Sequence, residues 1–257
     1  MTEDPTEPVA PPRPSPRWPW LLGLVAVLAA AGAYLSAAQS APFVNAWCSL
    51  FGCEAPLGRG SYAFVLTQPR NPERPVTFEV CTPIRLVVND ADLPEGAAGL
   101  LERATAAVTA ASGHQFELAG GTDEAAGDNR ALRDPQRYGP GFSPVLVAWT
   151  DGERFSALEG RTAGQAGSVA VRSPEGGQEF ATGTVALDVD DFATMLDDDP
   201  VGDTATAVIM HELGHLVGLD HVDDPRQLMH PEPRRTTFGS GDLAGLRLVG
   251  AGADRCD

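Results

Sequence analysis

Three histidines and a glutamate in one short segment have the spacing of a catalytic metal site. The segment, residues 211–221, contains His211, Glu212, His215 and His221. His211 and His215 are separated by about one helical turn, so both imidazoles project from one face of a helix and can reach a single ion. Glu212 lies about 100° further around the same helix, where its carboxylate can act on a water molecule at that ion. This spacing predicts a metal site that carries its own general base.

The residues that follow the helix decide whether a third ligand is available. Gly218 can adopt a positive φ at little cost, so the chain can leave the helix there and return His221 to the ion. Three neutral histidine nitrogens suit Zn²⁺ and leave its fourth tetrahedral position for water, which distinguishes a catalytic zinc from a closed structural one. Zinc lowers the pKa of that water towards about 7 and polarises a carbonyl. The segment therefore predicts one catalytic Zn²⁺.

The same segment resembles the zinc signature of the metzincin peptidases and, among these, of the matrixins, the family of the matrix metalloproteinases. Four more of its residues fit the matrixin pattern: Leu213, Gly214, Leu219 and Asp220. Residues 228–231, Leu-Met-His-Pro, resemble the Met-turn of the family. The resemblance implies that His211, His215 and His221 bind zinc, that Glu212 is the general base and that Met229 lies beneath the metal.

The resemblance covers about residues 80–250 and implies an α+β fold. We expect a metzincin-like catalytic domain with a twisted, mostly parallel sheet and a long active-site helix. A small C-terminal subdomain would follow, with the Met-turn and a final helix at residues 242–248. The implied function is a zinc-dependent endopeptidase, a hydrolase that cleaves peptide bonds in extracellular proteins or peptides, with Glu212 activating a zinc-bound water. Two alternatives stay open: a non-catalytic zinc-binding adhesion or interaction module, and a hydrolase of cell-wall peptides.

Four positions bear on whether further metal contacts are expected. Ala186 stands where a matrix metalloproteinase has a structural-zinc histidine, so we expect no second zinc. Asp188 and Asp191 begin an acidic stretch where matrixins often bind calcium, which makes them candidate calcium ligands; a solvated acidic loop is the alternative interpretation. His230 replaces the tyrosine common after the Met-turn methionine. We interpret it as an exposed loop histidine, and a role at the metal or the transition state stays open.

The elements that must position this site are predicted from apolar runs and spacing. The pattern predicts one helix at residues 95–111, a polar loop at 120–138, and strands at residues 84–88, 115–118, 145–149, 168–172 and 184–189. By resemblance, residues 168–172 are the edge strand over the cleft and hold an extended peptide by strand addition. An edge strand without a binding role is the alternative.

The N-terminal part predicts a membrane anchor. Residues 18–38 are mostly apolar and long enough to span a bilayer as a helix. Arg13 and Arg17 precede this stretch, so the positive-inside rule places a disordered tail, residues 1–17, in the cytoplasm and the catalytic part outside the cell. A cleaved signal peptide and a secreted protein are the alternative. A stalk at residues 39–79 would lead into a peptidase domain at 80–257.

Cysteines and charge limit the chemistry and the partners. All four cysteines follow the apolar stretch, so we expect an oxidising compartment and two disulfides, Cys48–Cys53 and Cys81–Cys256, among three connectivities. The net charge of -17 argues against nucleic acid as a partner. We expect a monomer that binds a protein or peptide substrate and that contacts the membrane through its N-terminal helix.

Overall fold

The computed structural model describes residues 61–127, 130–160, 162–174 and 176–256, and within these ranges the fold is α+β. The strands are β1 Ala63–Phe64, β2 Thr67–Gln68, β3 Asn71–Pro75, β4 Ile84–Asn89, β5 Phe116–Gly121, β6 Val145–Thr150, β7 Gly164–Arg172, β8 Gln178–Asp188 and β9 Leu219–Asp220. The α-helices are α1 Leu100–Ser112, α2 Pro135–Tyr138, α3 Val189–Asp198, α4 Asp203–Val217 and α5 Ser240–Val249.

The central sheet has five strands in the order β5-β4-β6-β8-β7. β4 is parallel to β5 and to β6, β6 is parallel to β8, and only the edge strand β7 runs antiparallel. All six residues of β6 are buried, as expected for a central parallel strand whose two faces are both covered. The expectation of a mostly parallel sheet in an α+β fold is therefore confirmed.

The main hydrophobic core lies between the sheet and the helices α1 and α4. Leu86, Val147 and Leu187 of the sheet pack there with Ile209 and Leu213 of α4, and all five are fully buried. This packing fixes α4, which carries two of the three site histidines, against the rigid centre of the domain. Stability of the core and position of the site thus depend on the same helix.

A polar loop covers the opposite face of the sheet. Arg130 forms two hydrogen bonds of 3.0 Å with the Glu124 carboxylate and donates to Thr182 Oγ1 at 2.9 Å. Beneath this loop, Val87, Leu146 and Ala148 form a second, smaller hydrophobic cluster. The loop therefore closes a sheet face that would otherwise expose apolar side chains.

Several elements differ from their predicted bounds. α1 begins at Leu100 and not at residue 95, because Gly96 and Gly99 adopt positive φ values of 83° and 81° that a helix does not contain. β7 and β8 begin earlier than the predicted 168–172 and 184–189, at Gly164 and Gln178. The acidic stretch that the alternative interpretation assigned to a solvated loop folds into the helix α3.

Part of the predicted N-terminal architecture falls within the described residues. Residues 61–79, which the sequence assigns to the stalk, form β1 to β3 and place Val76 and Phe78 in the core. The tail, the apolar stretch 18–38 and the pair Cys48–Cys53 lie outside the described residues. Within the described ranges, no helix is long and apolar enough to cross a bilayer. The domain limits and the membrane anchor stay predictions.

Cys81 and Cys256, one of the two predicted pairs, are joined by a disulfide. Cys81 lies three residues before β4, and Cys256 follows a short 3₁₀ turn at Ala253–Arg255, close to the end of the chain. The bond therefore ties the start of the sheet to the C-terminal end of the domain.

Candidate metal and catalytic site

Helix α4 and the turn after it bring the three predicted histidines together. α4 begins after Gly202, whose φ of 73° is left-handed, and ends at Gly218, whose φ is 120°. A side chain at Gly218 would also meet the Val76 carbonyl oxygen at 3.0 Å. The positive φ expected at Gly218 is therefore present. The chain then passes through the short strand β9, and His221 follows this strand directly.

The three imidazoles converge on one point. The Nε2 atoms of His211, His215 and His221 lie 3.1 Å from one another in all three pairs. Among the residues that the structure describes, these histidines form the one group of three or more His, Cys, Asp or Glu side chains with metal-ligand spacing. The structure thus brings together the three histidines that the sequence spacing singled out.

The tautomers fit a cation and do not fit mutual hydrogen bonding. His211 Nδ1 donates to the Leu228 carbonyl at 2.7 Å, and His215 Nδ1 donates to the Leu219 carbonyl at 2.8 Å. With their protons on Nδ1, both rings direct Nε2 lone pairs at the same point. Tetrahedral zinc with Zn–N distances of about 2.0–2.1 Å separates its ligand nitrogens by about 3.3 Å, close to the observed 3.1 Å. The residues present therefore fit Zn²⁺.

Burial keeps these ligands neutral. Burial, together with the neighbouring imidazoles of His215 and His221, lowers the pKa of His211 to about 4. The pKa values of His215 and His221 are also lowered, in both cases first by burial. Neutral imidazole is the form that binds a metal, so the site is ready for zinc near neutral pH without releasing protons from these rings.

Glu212 is buried beside the edge strand β7. Its side chain is 6% exposed, and burial raises the pKa of Glu212 to about 8, opposed by a hydrogen bond from the Ala166 backbone N–H. Gly164 leaves the space for this side chain, because a Cβ at that position would lie 2.7 Å from Glu212 Cγ. A carboxyl group with a pKa near neutrality can both take up and release a proton during a reaction.

Met229 lies under the helix that carries the ligands. Its sulfur is so close to Gly214 that a Cβ there would approach it to 2.6 Å, and Met229 is 1% exposed. Gly214 stands between His211 and His215 in the sequence, so the methionine packs against the stretch of helix that separates the two ligands. The position beneath the metal that the resemblance implies for Met229 is compatible with this packing.

Asp242 is a site residue that the sequence analysis placed only in the final helix. Its buried carboxylate accepts backbone N–H bonds from Leu228 at 2.6 Å, Met229 at 3.3 Å and Gly239 at 2.7 Å. The Leu228 carbonyl in turn orients His211. The sequence does contain a signal for this role. Asp242 lies three residues after Gly239 at the start of a helix, which is the spacing between the two residues of a capping box.

The other predicted residues lie outside the histidine cluster. Asp188 Oδ1 accepts the backbone N–H groups of Asp190 and Asp191 at 3.0 Å and so caps helix α3. This cap is a structural role for Asp188, and calcium at Asp188 and Asp191 stays a prediction. His230 also lies outside the cluster, and its Nδ1 lies 3.0 Å from the Glu232 backbone nitrogen.

The comparison with known protein families agrees with this geometry. Residues 147–243 match the model of the family described as Matrixin, a family of peptidases. That range contains β7, β8, the three histidines, Glu212, Met229 and Asp242. No curated protein gives a significant match to the chain. The assignment to the matrixin family, made from the sequence, is confirmed over residues 147–243.

Proposed function

We propose that this protein is a zinc-dependent endopeptidase in which Glu212 is the general base. One observation carries the proposal: three histidine Nε2 atoms meet at 3.1 Å, two of them with their lone pairs fixed towards that point. The matrixin match supports a zinc metallopeptidase. The adjoining buried carboxylate of Glu212 has no metal-binding role in this arrangement, which supports catalysis over binding alone.

The three histidines and Glu212 have different roles in the proposed reaction. His211, His215 and His221 would hold a zinc ion, which would supply Lewis-acid chemistry by polarising the scissile carbonyl and acidifying water. Glu212 takes a proton from the water that attacks the carbonyl carbon, and it later delivers a proton to the leaving amine nitrogen. The backbone of β7 holds Glu212 through the Ala166 N–H and keeps bulk water from its carboxylate.

Strand β7 is the proposed site for the substrate backbone. Among the described residues it pairs with β8 on one side only and is the edge of the sheet. An extended peptide can add to such an edge by backbone hydrogen bonds. Because Gly164 and Ala166 of β7 contact Glu212, a peptide on the outer side of β7 runs close to the general base. We therefore propose extended protein or peptide segments as the substrate class.

We propose that the catalytic part lies outside the cell, held by a membrane helix at residues 18–38 or released after its cleavage. The apolar character of that stretch and the two preceding arginines, Arg13 and Arg17, support this proposal. The disulfide Cys81–Cys256 also suits an oxidising compartment.

A substrate panel with metal controls tests the function. Purified protein would be incubated with casein, a quenched peptide library and cross-linked cell-wall peptides, first as isolated, then with a chelator and after zinc is restored. We expect cleavage of casein and of some peptides, loss with chelator and recovery with zinc. Cleavage of cell-wall peptides alone would show that the substrates are cell-wall peptides and not proteins. No cleavage by zinc-loaded protein would favour the non-catalytic zinc-binding module.

A further inference from the structure

The segment before the core domain lies directly against the turn that carries the third ligand. β1 pairs antiparallel with β9, with Ala63 opposite Asp220 and Phe64 opposite Leu219. The Val65 backbone N–H donates to the Gly218 carbonyl at 3.0 Å. We name residues 61–65 the N-terminal strap. The strap therefore runs alongside residues 218–220, which connect helix α4 to His221.

Both residues of β9 also contact a ligand histidine. The Leu219 carbonyl accepts the Nδ1 proton of His215 at 2.8 Å. The Asp220 carboxylate accepts the backbone N–H of His221 at 2.7 Å. A displacement of β9 would therefore rotate one imidazole and shift the backbone of another. Hydrogen-bond partners of metal-bound histidines fix ring orientation and affect metal affinity.

The strap is held at its own start. Ser61 Oγ donates to the buried carboxylate of Asp224 at 2.9 Å. Gln227 also donates to Asp224, at 3.0 Å, and accepts the backbone N–H of Gly241 at 2.7 Å. Gly241 has no room for a side chain, since a Cβ there would lie 2.3 Å from the Ser61 carbonyl oxygen. The strap is thus tied to the loop after His221 and to helix α5.

Side chains of the strap and of β9 pack against helix α5. Tyr62 and the Leu219 side chain both press on Gly245 of α5, where a Cβ would lie 2.7 Å from Leu219 Cδ2 and 3.0 Å from Tyr62 Cβ. The rings of Tyr62 and Phe64 lie 5.4 Å apart between centroids. The turn at residues 218–221 is therefore held between the strap and α5, in addition to the hydrogen bonds that the Gly218 N–H makes with the Gly214 and His215 carbonyls at the end of α4.

We propose that the N-terminal strap positions the metal ligands His215 and His221, so that zinc affinity depends on residues 61–65. The proposal rests on the proposed zinc site and names positioning residues for it. Val65 is the most useful residue for a test. Its side chain is 50% exposed, and its backbone N–H makes the bond to Gly218.

The test compares Val65→Pro with Val65→Ala in the full chain. Proline removes the N–H, and the extended Phe64 before it suits the residue that precedes a proline. Alanine keeps the N–H and removes only side-chain atoms that are half-exposed. Zinc dissociation constants would be measured with a competing chromophoric chelator, without substrate, and Co²⁺ spectra would report the ligand geometry. Circular dichroism would check that each variant is folded.

We expect Val65→Pro to raise the zinc dissociation constant about 10–100-fold, the range found for groups that orient metal ligands, and to change the Co²⁺ spectrum. Val65→Ala should behave as the wild type. Equal zinc affinities and spectra for the two variants would overturn the proposal. If Val65→Pro does not fold, Ser61→Ala takes its place, with Ser61→Thr as the variant that keeps the hydroxyl and restores affinity.

The readout separates this proposal from the proposed function. If the wild type binds zinc and cleaves no peptide, the peptidase assignment fails while the strap comparison is still decided by metal affinity. If the wild type cleaves peptides and the two Val65 variants bind zinc equally, the strap proposal fails and the peptidase assignment stands.

Discussion

Backbone carbonyls orient the rings of His211 and His215, so each ring directs one free Nε2 atom at the proposed metal site. His215→Ala should therefore lose zinc, since two nitrogens alone hold the ion far more weakly. Zinc per chain, measured by atomic absorption after gel filtration, checks this. His230→Ala is the matched control and should keep one zinc per chain. Full zinc content in His215→Ala would contradict the ligand assignment.

His114 gives a prediction about pH that does not involve the metal. It is fully buried, with Nε2 3.0 Å from Thr77 Oγ1, and no partner of its Nδ1 is found among the described residues. Burial lowers the pKa of His114. Below about pH 6.5 the unfolded chain binds a proton at this residue more readily than the folded chain does, so stability falls as pH falls.

The expected loss at His114 is at most about 1.4 kcal/mol per pH unit, the limit for one proton. Urea unfolding from pH 8 to pH 5 would measure the free energy of unfolding for the wild type and for His114→Gln, which does not titrate. We expect a shallower decline in the variant, because glutamine takes up no proton on unfolding. A decline remains in both proteins, since the other histidines whose pKa values burial lowers still contribute. Identical slopes would refute the contribution of His114.

At the scale of elements, β7 places Glu212, and two of its glycines test this. A Cβ at Gly164 would meet Glu212 Cγ at 2.7 Å, whereas a Cβ at Gly167 would meet no atom within 4 Å. Gly164→Ala should displace the carboxylate and lower kcat at least about tenfold with zinc retained. Gly167→Ala should leave kcat nearly unchanged. A fully active Gly164→Ala enzyme would show that β7 does not position the base.

The site could be predicted from the sequence because its spacing is local. His211, Glu212 and His215 belong to one helix, and Gly218 lets the chain return within four residues. Pairings between distant segments carry no such signal. The contact of β1 with β9 and the hold of Asp242 on the Leu228 and Met229 backbone depend on tertiary packing.

The helices were harder to predict where composition and structure disagree. The acidic stretch that begins at Asp188 has the composition of a solvated loop or a calcium site, yet it forms α3 because Asp188 caps the helix and Phe192 and Leu196 bury one face. Conversely, the alanine-rich spacing extends N-terminally past the true start of α1, where glycines with positive φ exclude a helix.

At the scale of the whole molecule, the disulfide Cys81–Cys256 closes a loop of 175 residues. A cross-link over such a long loop removes conformational entropy from the unfolded chain, and its loss typically costs about 2–5 kcal/mol. Cys81→Ser with Cys256→Ser should lower the free energy of unfolding by that amount in urea titrations. Zinc content at low denaturant should stay at one per chain. An unchanged unfolding midpoint would contradict a stabilising role.

The most direct test of the central claim is one paired measurement on Glu212→Gln: zinc per chain and kcat/KM on a quenched peptide, each relative to the wild type. The proposed mechanism predicts an unchanged metal content and a fall in kcat/KM of at least about a hundredfold, since general acid–base groups typically contribute 10²–10⁴-fold. A folded, zinc-loaded Glu212→Gln protein with wild-type kcat/KM would contradict the account.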